Sequence, residues 1–267
     1  MGAAAVDAAA APQTVPTPEP PLTRDLADFD HAPTSAHAPI RTFHPRRTPM
    51  GPARRAALDR LWPSLGFSLT GPPPRPPLDT DGYLDRVALF GRHAPLVLEV
   101  GSGMGEATVA MAAADAGRDY LAVEAHLPGV ANLLVLADRD RVTNVRVCHG
   151  DALTLAREHL RPGSMSAVHA FFPDPWPKVR HHKRRLIQPA HVALLGALLE
   201  PGGALRLATD WQQYAEVMLA TIADDDLLVN AHPGYAPRPD DRPVTRFEQR
   251  ARDAGSPVFD VLARRRA

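Results

Sequence analysis

From Leu84 onward, short apolar runs alternate with longer segments of helical spacing, the pattern of parallel β-α units. Strands are predicted at 96–100, 120–124, 145–148, 167–172 and 204–209, with a closing pair at 227–231 and 258–263. The intervening helices are predicted at 105–116, 130–139, 153–159, 186–199 and 211–223. The expected fold is α/β: a mostly parallel seven-stranded sheet with helices on both faces.

Upstream the pattern changes. Residues 1–38 hold eleven Ala and six Pro, with five acids against Arg24 alone, the composition of a disordered tail. From Arg41 to Arg60 the sign reverses: six arginines (41, 46, 47, 54, 55 and 60) face only Asp59. Leu58, Leu61 and Trp62 fall at helical spacing, so Pro52 to Trp62 is predicted as a short helix with one apolar edge. A Gly71–Pro77 break follows. The chain therefore divides into a tail (1–39), a basic arm and linker (40–78) and a main domain (79–267).

Composition narrows the function classes. The 267 residues carry 30 Lys plus Arg against 30 Asp plus Glu, and 45% are hydrophobic, enough for a sizeable core. The 29 prolines are about twice the usual share. A single cysteine, Cys148, excludes an intrachain disulfide framework and a multi-cysteine zinc site, and it fits a reducing compartment, with the cytoplasm as default. No run is apolar enough for a membrane span, and the N-terminus lacks secretory and myristoylation signals. A soluble protein requiring no metal is expected.

Candidate chemistry begins where the first strand of the main domain runs into Glu99-Val100-Gly101-Ser102-Gly103-Met104-Gly105. Glycines at this turn let a ligand approach the backbone, and the free amides of the following helix favour an anionic group. The third glycine comes one residue too early for the dinucleotide fingerprint, which disfavours NAD. The spacing is similar to the first motif of class I methyltransferases. Glu124 ends the second strand, where a carboxylate accepts bonds from ribose hydroxyls. Asp151 follows the third strand, where class I methyltransferases place an acid near the adenine amino group. It could equally cap the helix at Leu153.

The fourth strand ends Phe172-Pro173-Asp174-Pro175-Trp176-Pro177-Lys178, whose alternating prolines stiffen the loop and hold Asp174 beyond the sheet edge. Lys178, Arg180, Lys183, Arg184 and Arg185 follow with no acid among them. Such a run is either a solvated face or a grip on a polyanion.

Phe172 to Arg185, read as Phe-Pro-Asp-Pro-Trp-Pro-Lys-x-Arg-His-x-Lys-Arg-Arg, closely resembles the signature of bacterial tRNA (guanine-N7)-methyltransferases. Leu98 to Gly105, Ala208 to Trp211, Thr245 to Arg250 and the Arg41–Gly66 arm support the resemblance, which spans roughly 40–264. It implies a class I S-adenosylmethionine-dependent methyltransferase with a Rossmann-like sheet, methylating N7 of a variable-loop guanine in tRNA. Carried over by position, it assigns S-adenosylmethionine contacts to Glu99, Gly101, Gly103, Gly105, Glu124, Asp151 and Asp174, with Asp174 also catalytic. Substrate contacts map to Lys178, Asp210, Thr245, Arg246, Phe247 and Glu248, and backbone contacts with tRNA to Arg180, Lys183, Arg184 and Arg185. Thr245 and Glu248 also have capping-box spacing, and Asp210 could cap the helix at Trp211. A non-catalytic RNA-binding protein on this fold, or a methyltransferase with another acceptor, remains open at the level of sequence.

Overall fold

The computed structural model describes residues 40–43 and 49–267. The expected tail, and Arg46 and Arg47 of the arm, lie outside the described residues. The elements run α1 (Pro52–Leu65), β1 (Gly66–Ser68), α2 (Arg86–Phe90), β2 (Leu96–Val100), α3 (Glu106–Ala114), β3 (Asp119–Glu124), α4 (Leu127–Arg139), β4 (Val145–His149) and α5 (Ala152–Glu158). Then come β5 (Met165–Phe171), a 3-10 turn (Val179–Arg184), α6 (Pro189–Leu198), β6 (Leu199–Thr209), α7 (Gln212–Ala223), β7 (Leu228–Asn230), α8 (Arg246–Asp253) and β8 (Phe259–Arg265).

One sheet has the order β1-β4-β3-β2-β5-β6-β8-β7. Pairings from β1 through β6 are parallel, and β8 runs antiparallel to both β6 and β7. Strands β2 to β5 are buried along nearly their whole length, as expected of a parallel sheet covered on both faces. Because β2 lies between β3 and β5, the direction of winding reverses there. The crevice beyond the carboxyl ends of β2 and β5 is where such sheets take ligands.

The eighth strand is the difference from the seven expected. β1 has only three residues, too few for a periodic signal, yet it pairs with β4 from Gly66 opposite Val147 to Ser68 opposite His149. It is anchored by α1, whose Ala57, Leu58, Leu61 and Trp62 are buried in the same core as α4. Trp62 lies over Gly66, where an added Cβ would fall 2.1 Å from its ring, and its Nε1 donates to the Pro73 carbonyl at 3.0 Å. The segment expected to stand off as arm and linker thus adds a helix and an edge strand to the main sheet.

α6 also begins later than its apolar pattern predicts. Pro189 takes its first turn, and Leu186 and Ile187 precede it as buried core residues outside the helix, with Ile187 N donating to the Tyr214 hydroxyl at 3.0 Å.

Candidate active site

The strand-to-helix turn after β2 is built by its glycines. Gly101, Gly103 and Gly105 all have positive φ, and at Gly101 and Gly103 an added Cβ would meet nothing within 4 Å, so the backbone faces open space. Gly105 is needed for packing instead, since its Cβ would fall 2.6 Å from that of Leu133 on α4. Glu124, at the end of β3, ties the turn down: Oε2 accepts from Gly103 N at 2.7 Å and Oε1 from His126 N at 2.7 Å.

These residues border a cavity of about 250 Å³. Val100, Gly101, Gly103 and Met104 form one side, Glu124 and His126 a second, Asp151 and Leu153 a third, and Phe171 to Asp174 with Phe247 the fourth. Thr42 and Phe43, from the arm, also line it. Asp151 serves in two ways, as it borders the cavity while its Oδ1 accepts from Thr154 N at 2.8 Å to cap α5.

Glu99 lies behind this wall rather than in it. Its side chain is 3% exposed, its Oε2 has no hydrogen-bond partner, and burial pushes its carboxyl up to about 7. Beside it in the sheet register, His169 is buried with neither ring nitrogen partnered, and burial drives its imidazole down to about 3.

The loop after β5 carries backbone strain. Phe172 and Trp176 both have left-handed φ, 52° and 44°, which a residue with a Cβ adopts at a cost. The loop is braced from inside. Phe172 N donates to Ala208 O at 2.7 Å, and Trp176 is buried, with Nε1 donating to Thr42 O at 3.3 Å. Asp174, half-buried between them, faces the cavity. Beyond it Lys178, Arg180, Lys183 and Arg184 are exposed, and among the described residues none pairs with a carboxylate.

The other substrate-side positions gather around α8. Thr245 caps it, its Oγ1 accepting from Glu248 N at 3.1 Å. Arg246 reaches Glu106, in the first turn of α3, at 3.1 Å, an exposed ion pair between α8 and the helix that follows the glycine turn. Phe247 is 47% exposed and borders the cavity. Asp210 stands exposed beyond β6, next to the loop, and α7 has no side-chain cap, so that alternative for Asp210 does not apply.

The chain matches, over residues 93–261, the family model described as "Putative methyltransferase". It is 49% identical over 229 residues to the tRNA (guanine-N(7)-)-methyltransferase of Streptomyces avermitilis, covering 85% of this chain and 75% of that one. It is 44% identical over 232 residues to the enzyme of that name from Nitrosospira multiformis, covering 87% and 97%. This chain belongs to the tRNA (guanine-N(7)-)-methyltransferase family. Among solved structures, the 16S rRNA methyltransferase KamB superposes with a TM-score of 0.52 at 14% identity, over 67% of this chain and 92% of that one, a likeness of fold.

Two residues expected at the substrate of this tRNA (guanine-N(7)-)-methyltransferase family member are buried in the protein. Arg185 is 4% exposed and turns inward, its Nε donating to Pro175 O at 2.9 Å and its guanidinium over the Tyr214 ring at 4.8 Å, so it braces the loop. Glu248 is 1% exposed and its carboxylate is taken by Arg238, Arg242 and Arg252. Burial opposes its charge, yet these arginines hold the carboxyl below its ordinary range. It ties α8 to the arginine-bearing loop that precedes it. Sequence reasoning passed over Arg242, fully buried between Glu248 and Asp260, because a lone arginine in a loop gives no sign that it turns inward. It read Phe172 as the end of a strand and the start of the signature, without a site role.

Proposed function

We propose that this chain transfers a methyl group from S-adenosylmethionine to N7 of a guanine in tRNA, the variable-loop guanine by family resemblance, in the cytoplasm. One observation carries the reading: a stiff loop presents Asp174 to the glycine-lined cavity at the switch point, and exposed cations with no carboxylate partner among the described residues continue from that loop. In a chain of zero formal net charge, cations gathered at the cavity mouth suit a ribose-phosphate chain.

The residues fit the proposed methyl donor. Gly101 and Gly103 present bare backbone to the cavity, and the first turn of α3 supplies free amides for a carboxylate. Glu99, behind the cavity wall with Oε2 unpartnered, would add negative charge behind an ammonium group held at the turn. Glu124, at the end of β3, would accept from ribose hydroxyls, and Asp151, at the start of α5, from an adenine amino group. S-adenosylmethionine, when bound, supplies a methyl group made electrophilic by a sulfonium sulfur.

The acceptor needs no base. Guanine N7 has an in-plane lone pair and no proton, so Asp174 need not abstract one. Positive charge develops on the imidazole ring of the guanine as the bond to N7 forms, and the Asp174 carboxylate stabilises it electrostatically. The proline-stiffened loop holds that carboxylate in place before the substrate arrives, so little reorganisation is needed during reaction. Lys178, Arg180, Lys183 and Arg184 hold the RNA, and Asp210, Thr245, Arg246 and Phe247 border the base. N7 faces the major groove, which side chains enter poorly in A-form RNA, so the target belongs in an open region.

The test is a tRNA transcript carrying 7-deazaguanine, with carbon in place of N7, at the target position. It should bind as the guanine transcript does and accept no methyl group. Methylation of the deaza transcript at that base would refute N7 as acceptor.

A further inference from the structure

Phe172 and Phe247 stand ring to ring at the cavity mouth, centroids 6.2 Å apart and planes within 16°. They come from the strained loop and from α8, and both line the cavity that Asp174 faces. Core packing does not account for the pair. Phe247 is 47% exposed on a helix whose other residues are Ala251 and six charged or amide side chains. Phe172 holds a left-handed φ of 52°, a conformation that persists in a non-glycine residue where the surroundings enforce it. Those surroundings are the Phe172 N–H bond to Ala208 and the Arg242 guanidinium, 5.6 Å from the ring centroid.

We propose that Phe172 and Phe247 clasp the target guanine face to face, and that their π faces stabilise the positive charge the base acquires during methylation. The inference rests on the reading of the site as a guanine-N7 methyltransferase. Two near-parallel rings with a base between them stand roughly 6.8 Å apart, twice the 3.4 Å stacking repeat, and the exposed Phe247 ring is the one that moves to admit the base. The guanine arrives neutral and leaves as a cation. An aromatic face attracts a cation more strongly than a neutral ring, so the clasp binds the charged form better than the starting base. An interaction that strengthens toward the transition state raises turnover. The charge of Arg242, beside Phe172, does not oppose this, because Glu248 at its Nη1 and Asp260 at its Nη2 (2.9 Å) neutralise it.

The experiment compares full-length wild type with the Phe247→Leu, Phe247→Tyr and Phe172→Leu variants in two measurements. One is single-turnover methylation of a saturating tRNA transcript. The other is equilibrium binding of the transcript, unmodified and 7-methylated, with S-adenosylhomocysteine present. Wild type should prefer the methylated transcript. Phe247→Leu keeps apolar bulk and should lose that preference, methylating about ten- to thirty-fold more slowly while binding unmodified transcript within about threefold of wild type. Phe247→Tyr should retain both properties, and Phe172→Leu should match Phe247→Leu. If Phe172→Leu fails to fold, the two Phe247 variants decide the matter alone. A Phe247→Leu protein with wild-type rate and wild-type preference overturns the clasp. Wild type that forms no 7-methylguanosine sinks the functional reading itself, whereas an active wild type matched by Phe247→Leu sinks the clasp alone.

Discussion

Arg185 donates through Nε to the carbonyl of Pro175 at 2.9 Å, from inside the loop that carries Asp174. One member of a basic run is therefore a brace, while Arg180, Lys183 and Arg184 remain at the surface. The two kinds of arginine should separate in a salt titration. Replacing Arg180, Lys183 and Arg184 together by Gln should weaken tRNA binding and flatten the slope of log K against log[salt] by about 2, at about 0.7 per phosphate contact with single-stranded RNA. Arg185→Gln should leave the slope unchanged while lowering turnover and melting temperature. A slope that changes with Arg185 as much as with its neighbours would contradict this division.

Asp174→Asn preserves shape and removes charge. Turnover should fall on the order of a hundredfold with tRNA affinity nearly unchanged, as for other preorganised electrostatic groups. Comparing single-turnover rate with equilibrium binding checks this, and wild-type turnover in the variant would remove Asp174 from the chemistry.

The cofactor turn tolerates no added methyl group at two places. At Gly129 a Cβ would lie 2.2 Å from the Gly103 carbonyl oxygen, and at Gly105 one would lie 2.6 Å from the Cβ of Leu133, at a φ of 81°. Gly129→Ala and Gly105→Ala should each cost roughly 1–3 kcal/mol of stability and weaken S-adenosylmethionine binding. Calorimetric titration and thermal melting read both effects. Unaltered binding in Gly129→Ala would show that the turn does not shape the donor pocket.

Glu99 and His169 should give opposite pH dependences. Burial raises the Glu99 carboxyl from 4.5 to about 7, so the folded state holds a proton that the unfolded chain releases between those values. The penalty of ionising it grows as pH rises from 4.5 and is complete above 7. His169 is depressed from 6.5 to about 3, so the neutral imidazole costs stability as pH falls below 6.5. Relative to wild type, Glu99→Gln should gain melting temperature above pH 7, and His169→Gln should gain it below pH 6. Parallel pH profiles for wild type and both variants would refute the shifts.

Much of this architecture was legible because parallel strands write themselves as apolar runs. β2 was placed to the residue, five of the other six expected strands lie within two residues of their predicted bounds, and β6 begins at Leu199, five residues before its predicted start. β1 and the five-residue α2 escaped because a single turn or three paired residues leave no period to detect. At the site, Gly101, Gly103, Glu124, Asp151 and Asp174 converge as their positions at strand ends imply. The burial of Arg185 and Glu248 was not legible, since neither a charge run nor a positional resemblance tells an arginine or carboxylate facing solvent from one turned into a buried network. The Phe172–Phe247 pairing was invisible for another reason: it depends on where α8 docks, which no local pattern encodes.

The central claim is that this cleft methylates guanine N7 in tRNA, and nucleoside analysis of tRNA incubated with the protein and isotopically labelled S-adenosylmethionine tests it most directly. The label should appear in 7-methylguanosine with wild type and be nearly absent with Asp174→Ala. Label in any other nucleoside, or equal label with both proteins, would contradict it.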